Sequence, residues 1–290
     1  MGEYLILFGG PALVIATTPR FKLKVFESKK SFHPFHPKSP AGLLLKEQNL
    51  KNIFFEFSDP YFGSGGMGAS SAQFVLIHSY LNLKKDMSWQ ALYKSYRAQS
   101  SGVENWRRPS GGDVIAQFMG GISSFHPRLN SLENLSWSFS DLEFSLFKTS
   151  QKLATHLHLN EERDFQKDLQ KPERLSEVSA LVEQASAALK ACNSDSFIEA
   201  FAAFSKILES LKLVAVPTQK ILKALRMHSE VLASKGCGAM GVDVICVLHR
   251  PEHKSLILAE ATNLGLKFLA NHKQLDSAGF RIDSEASLRV

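Results

Sequence analysis

The segment GGMGASSAQF, residues 65–74, sets three glycines and two serines directly ahead of the apolar run FVLIHSYLNL. Upstream lies KNIFFEFSDP, residues 51–60, whose alternating apolar residues predict a strand that stops at Asp59-Pro60. The spacing downstream predicts a helix from about Ser70 to Leu83. A strand, a glycine loop and a helix in this order leave few local folds. Glycines reach positive φ and let backbone approach a ligand. Successive amides then point inward, and the helix N-terminus adds a partial positive charge, which suits phosphate. Ser70 and Ser71 are placed to cap the helix or to reach a bound Mg²⁺. An ordinary glycine turn with a serine N-cap is the structural alternative. The loop is not a Walker A sequence, because no lysine follows its last glycine, and it does not match GxGxxG.

Two further glycine clusters share this character. In RRPSGGDVIAQFMGG, residues 107–121, Ser110 stands three residues before Asp113, and Asp113 opens an apolar segment. A carboxylate there can take a proton from an attacking hydroxyl or hold it in orientation; its structural alternative is a helix N-cap. In SKGCGAMGVDV, residues 234–244, the spacing predicts the end of a helix, three glycines (Gly236, Gly238, Gly241) and a buried strand. A helix C-cap with a tight turn is the alternative there.

The rest of the chain is an ordinary globular sequence. Its 290 residues are 44% hydrophobic and 21% charged, enough for two domains that share a cleft. The net charge of +6 suits anionic ligands, but the basic residues are scattered. No basic block, RNA-binding aromatic signature or zinc-finger spacing is present, so we expect no nucleic-acid partner. Three cysteines without a CxxC argue for a reducing compartment. The apolar N-terminus is interrupted by Gly9, Gly10 and Pro11 and lacks a basic leader, which predicts a cytoplasmic protein with no membrane association. His33 with His36, and His156 with His158, have no carboxylate or cysteine cluster in sequence to make them metal ligands.

Strands are expected at 4–8, 12–17, 20–28 and 51–60, in 132–150 and at 242–249, with a short one near the C-terminus. Residues 33–42, with three prolines, read as a loop. Helices are expected at 88–100, 149–169, 174–192 and 194–213, through TQKILKALRMHSEVLAS, and through HKSLILAEATNLGLKFLA.

Taken together, the three clusters resemble the GHMP kinase superfamily. Gly66-Met67-Gly68-Ala69-Ser70-Ser71-Ala72 is similar to its second motif, G-L-G-S-S-A-A. Ser110-Gly111-Gly112-Asp113 resembles the S-G-x-D segment of the phosphomevalonate kinase branch. Lys235 to Val244 resembles the third motif, K-x-S-G-A-G-G-G-D-C, with Cys237 in place of its serine and Met240 and Val242 in place of two glycines. Asp243 keeps the phosphomevalonate-type aspartate. GEYLILFGGPALVIA resembles the tail of motif 1, and VPTQKILKAL takes the place of the helix before motif 3.

The resemblance implies an α+β, two-domain GHMP kinase fold. An N-terminal ATP-binding domain over residues 1–134 would resemble the second domain of ribosomal protein S5, and a ferredoxin-like domain would cover 135–290. It implies an ATP-dependent kinase of mevalonate or phosphomevalonate; the alternatives are another sugar or amino-alcohol kinase and an impaired nucleotide-binding member. ATP and Mg²⁺ are the implied cofactors and a small molecule the implied partner, for a monomer or homodimer. Gly65, Gly66, Gly68, Ala69, Ser70 and Ser71 would hold the triphosphate, and Asp113 with Ser110 would serve the acceptor. Ser70 and Glu104 would bind the metal, and Cys237, Gly238, Ala239, Gly241 and Asp243 would line the cleft. Arg107 and Arg108 would face an acceptor phosphate or solvent. The family's motif 1 opens with P-G-K ahead of G-E-Y, and the chain starts at Met1-Gly2-Glu3-Tyr4. The expectation is therefore a missing edge strand and a missing cation, with Met1 an internal methionine of a longer product.

Overall fold

The computed structural model describes residues 1–48, 50–63, 65–83, 87–99, 109–149, 168–238, 241, 243–284 and 287–289. They form two compact units: Val14–Ser123 with Leu275–Val290, the glycine-loop unit, and Met1–Leu13 with Ser124–Gln274, the second unit. The sequence reading divides the chain linearly after residue 134, whereas both units are discontinuous. The difference has a physical origin at each terminus. Glu3 pairs with Lys235, and Ser287–Arg289 adds a strand beside Lys22–Lys24. The chain passes between units at β1 (Ala12–Ile15) and β4 (Ile122–His126), which form a sheet of order β1-β4-β5 with β5 (Ser131–Leu135).

The glycine-loop unit contains β2 (Lys22–Glu27), α1 (Pro40–Lys46), β3 (Ile53–Ser58), α2 (Ala69–Leu81), α3 (Trp89–Gln99), α4 (Gly112–Met119), β10 (Arg281–Ser284) and β11 (Ser287–Arg289). Its antiparallel sheet runs β10-β11-β2-β3. The alternation in RFKLKVFES puts Leu23 opposite Phe57, and Leu23 and Phe55 enter the core with Leu288. Four consecutive residues of α2, Phe74 to Ile77, are fully buried. A helix that is apolar on every face is central, and α2 packs among α1, α3, α4 and the sheet.

Two local predictions are corrected here. Pro40–Lys46 is a helix, not loop: Ser39 accepts a hydrogen bond from Gly42 N at 3.1 Å and Pro40 takes the first turn, where its missing N–H costs nothing. Leu5–Phe8, in the second unit, is a 3₁₀ helix ended by Gly9, not a strand, because Gly9 and Gly10 amides turn back onto the carbonyls of Ile6 and Leu5.

The C-terminus of α4 is closed by one local and two long-range partners. Gly120 N donates to Ala116 O, the Arg20 guanidinium to Gln117 O at 2.8 Å, and Phe280 N to Phe118 O at 2.8 Å. These are carbonyls that a helix end leaves without intrahelical donors. Asp276 O accepts from Gly121 N, and Asp276 N donates to Ala16 O. The C-terminal segment is thereby stitched to the end of α4.

The second unit carries β6 (Glu143–Lys148), α5 (Pro172–Ala191), α6 (Ser194–Ser210), α7 (Val216–Leu225), β7 (Ala233–Cys237), β8 (Val244–His249), α8 (Lys254–Asn263) and β9 (Lys267–Asn271). Its antiparallel sheet has the order β7-β8-β6-β9. Most of the helix predicted at 149–169 lies outside the described residues. The helix predicted through residue 234 ends at Leu225, and Lys235 lies in β7 opposite Cys246. The tail of the predicted HKSLILAEATNLGLKFLA helix is β9. Among the described residues no helix is long and apolar enough to cross a membrane.

Lys235 is 1% exposed. Its ammonium pairs with Glu3, donates to Gly236 O at 2.7 Å and sits 5.8 Å from the centre of the Phe204 ring. Burial pushes the Glu3 carboxyl up, but Lys235, the N-terminal ammonium and hydrogen bonds together outweigh it and hold the group at about 2. Burial likewise favours neutral Lys235, yet the Cys237 sulfur and Glu3 raise it. The carboxylate's contribution is therefore complete above about pH 4.5, its unfolded value, and is lost as pH falls toward 2. The ammonium's contribution is complete below its ordinary 10.5 and is lost as pH rises beyond it. Removing one partner strands the other charge in the interior. Lys235→Met should cost about 3–5 kcal/mol in urea unfolding at pH 7, and Glu3→Gln should flatten the fall in melting temperature between pH 4.5 and 2. A Lys235→Met protein as stable as wild type would refute the pairing.

Candidate functional site

The glycine loop joins β3 to α2. Gly65, Gly66 and Gly68 all have left-handed φ, 78°, 76° and 75°. Asp59 fixes the start of the loop: its two carboxylate oxygens accept the amides of Tyr61 and Gly63, each at 2.8 Å. Gly68 is the N-cap of α2 and has no side chain to offer. The first-turn amides of Ala69, Ser70 and Ser71 therefore lack an intrahelical acceptor and a capping side chain. The serine cap considered from sequence is not formed. Ser70 is exposed at the second helical position, and Ser71 is buried and hydrogen-bonds Tyr96 of α3.

The Ser110–Asp113 segment starts α4. Its N-cap is Gly111, so Asp113 is not the cap but a first-turn residue, and its side chain is exposed. A carboxylate in the first turn is favoured by the helix dipole. Ser110 Oγ accepts from Gly112 N at 3.3 Å, while Tyr93 donates to Ser110 O at 3.2 Å and Arg97 to Pro109 O at 2.6 Å. α3 thus holds the segment that presents Asp113.

The structure brings the loop and Asp113 together. A Cβ on Gly68 would lie 3.6 Å from Cβ of Asp113 and 3.2 Å from Nε2 of Gln117. That amide donates to Met67 O at 3.2 Å, so α4 grips the loop one residue before the α2 N-cap. Sequence reasoning did not single out Gln117, although a lone amide inside the apolar VIAQFM run was a usable signal. The tyrosines of α3 carried no such signal.

The residues of the third cluster belong to the second unit. Cys237 ends β7, half-buried, with burial pushing its thiol up; Gly238 is exposed. The backbones at Gly236 and Gly241 are in contact, since a Cβ on Gly236 would lie 2.6 Å from Gly241 O. Asp243 is half-buried, and its carbonyl accepts Thr149 N at 3.1 Å. Ala239, Met240, Val242, Glu104, Arg107, Arg108, His156 and His158 lie outside the described residues.

Solved structures share this architecture over nearly the whole chain. A phosphomevalonate kinase from Streptococcus pneumoniae superposes with a TM-score of 0.70 at 18% identity, covering 93% of this chain and 94% of that one. The fold is that of the GHMP kinases. L. major mevalonate kinase, solved with R-mevalonate, gives 0.63 at 16% identity, covering 91% and 88%. Lactococcus lactis galactokinase, solved with galactose, gives 0.69 at 14% identity, covering 96% and 91%. No family model and no curated protein matches the sequence. On this GHMP kinase scaffold the strand–loop–helix order read from residues 51–83 is observed, with α2 starting at Ala69.

A side chain at Gly68 meets two obstacles, the left-handed backbone and the Gln117 amide. Gly63 is also left-handed but has open space around its Cβ position. Gly63→Ala should cost about 1–2 kcal/mol from backbone strain alone, and Gly68→Ala about 1 kcal/mol more through the displaced Gln117 hydrogen bond. Urea midpoints compare them; equal losses would deny the Gln117 contact its role.

Proposed function

We propose that the chain is an ATP-dependent small-molecule kinase of the mevalonate-pathway type, acting on phosphomevalonate or mevalonate. The observation that carries this is the exposed Asp113 carboxylate set beside Gly68, where uncapped amides begin a helix. In this reading the amides of Gly65, Gly66, Gly68, Ala69, Ser70 and Ser71 receive the triphosphate. Phosphoryl transfer is chiefly positioning and charge stabilisation, and preorganised amides supply both without reorganising. Asp113 orients the acceptor hydroxyl and takes its proton. Ser110 shapes the turn that presents it.

The nucleotide fits this loop, because the left-handed glycines leave its backbone bare of side chains. Among the described residues no group of three His, Cys, Asp or Glu is arranged to hold a metal ion by itself. Mg²⁺ in such sites is held by few protein ligands plus the phosphates. Ser70 would be one protein ligand and Glu104 another, and the bound ATP–Mg²⁺ supplies the phosphoryl group and neutralises its charge. Cys237, Gly238, Ala239, Gly241 and Asp243 keep the role that the resemblance gives their motif. The order β7-β8-β6-β9, with helices between β6 and β7 and between β8 and β9, supports a ferredoxin-like assignment for the second unit.

The fold likeness to galactokinase supports a second reading, a kinase of a sugar or amino alcohol. Coupled ADP release with mevalonate, phosphomevalonate, galactose and homoserine separates the readings. Turnover is expected with one of the first two. Asp113→Asn should lower that turnover about 10²–10⁴-fold while ATP affinity holds. Undiminished turnover would remove Asp113 from the mechanism, and nucleotide binding with no turnover on any acceptor would favour an impaired, nucleotide-binding member.

A further inference from the structure

A second concave site in the glycine-loop unit is dominated by charge. It has a volume of about 590 Å³, and its charged walls are Arg20, Lys22, Arg281 and Arg289 against Asp59 and Asp276. Four cations face two carboxylates, and the carboxylates are largely committed. Asp59 uses both oxygens on the Tyr61 and Gly63 amides. Asp276 accepts Arg281 at 2.6 Å and Ala278 N at 3.1 Å through one oxygen, and its other oxygen is 3.8 Å from Arg20 Nε.

The guanidiniums keep unspent donors. Arg20 is 8% exposed, and only its bond to Gln117 O is made, while Nε and Nη1 have no hydrogen-bond partner among the described residues. Nε of Arg281 and Nε of Arg289 are buried without a hydrogen-bond partner as well; the latter lies 3.4 Å from Asp283 without hydrogen-bond geometry. Leaving charged donors buried and unmatched is costly. The mismatch calls for an acceptor-only anion with several oxygens. A phosphate group has that form, and planar guanidinium forks match it. A volume in the range of small-molecule pockets leaves room for the body of a ligand beyond the phosphate. The frame is rigid: Arg20 is pinned to the end of α4, and the segment bearing Asp276 and Arg281 is stitched to the same end.

We propose that this pocket binds the phosphate group of a small phosphorylated ligand. The site rests on the pocket alone, while the choice of phosphorylated probes rests on the kinase reading. The phosphate has two available sources, a phosphomonoester or a nucleotide, and the experiment separates them. Calorimetric titration of the full chain with phosphomevalonate, mevalonate and ATP is compared between wild type and Arg281→Gln/Arg289→Gln, at constant ionic strength. Both arginines are about one-third exposed, so the double variant is expected to fold, which a thermal melt checks. The exposed Lys22→Gln serves as a second variant if it does not. Affinity for a phosphorylated probe should fall roughly tenfold or more, with mevalonate unaffected. A fall for phosphomevalonate alone assigns the phosphate to a phosphomonoester, and a fall for ATP assigns it to the nucleotide. The proposal is overturned if the folded variant binds both phosphorylated probes as wild type does, or if wild type binds neither.

Discussion

Gln117 is the residue on which the candidate site depends. Its side-chain amide holds Met67 O, the carbonyl just ahead of the α2 N-cap, and its own carbonyl receives the Arg20 guanidinium. One residue of a short helix therefore ties together the glycine loop, the helix that presents Asp113 and the base of the cationic pocket. The bond to Arg20 is buried and the bond to Met67 is partly buried. A residue held through both its side-chain nitrogen and its backbone carbonyl resists any shift of one partner relative to the other. The distance between loop and carboxylate is set by this link, not by the glycines, which only make the approach sterically open.

Much of this was legible in the sequence because it is local. The alternation of Leu23 and Val25, the helix after Ser70 and the buried strand at Val244–His249 all follow from period and composition. What was not legible depends on distant partners. SKGC looks like the tail of a helix because Lys235 and Gly236 say nothing about β8, against which they pair. Leu5–Phe8 reads as a strand because an apolar tetrapeptide beside glycines carries no period of its own. Pro40–Lys46 had a readable signature, Ser39 ahead of Pro40, hidden under a count of prolines. The roles of Arg20 and Gln117 arise from contacts spanning 97 and 50 residues of chain, and no window along the sequence contains both ends.

The third motif is the best example of structure explaining an unusual sequence. Two glycines of the family pattern are replaced at Met240 and Val242, yet Gly241 is kept, and Gly236 stands where the pattern specifies no residue. Gly236 and Gly241 are where backbone meets backbone with no space for a Cβ. The same strand carries Lys235 inward to Glu3, so the end of β7 is held at once by a close backbone contact and by a buried ion pair. Restraint of this kind keeps Cys237 and Gly238 in a defined place even though neighbouring glycines have changed.

The division of labour between backbone and side chains bears on acceptor choice. In the proposed function, phosphate handling at the glycine loop would be a backbone property: left-handed glycines and uncapped amides are indifferent to what is attached beyond a phosphate. Structures of this fold were solved with mevalonate in one case and galactose in another, so the fold itself does not choose. Discrimination must come from side chains placed by the same frame. Buried donors without acceptors discriminate most sharply, because a ligand that fails to match them leaves the full desolvation cost standing. In the glycine-loop unit that description fits Arg20, Arg281 and Arg289, which carry buried nitrogens without a hydrogen-bond partner among the described residues.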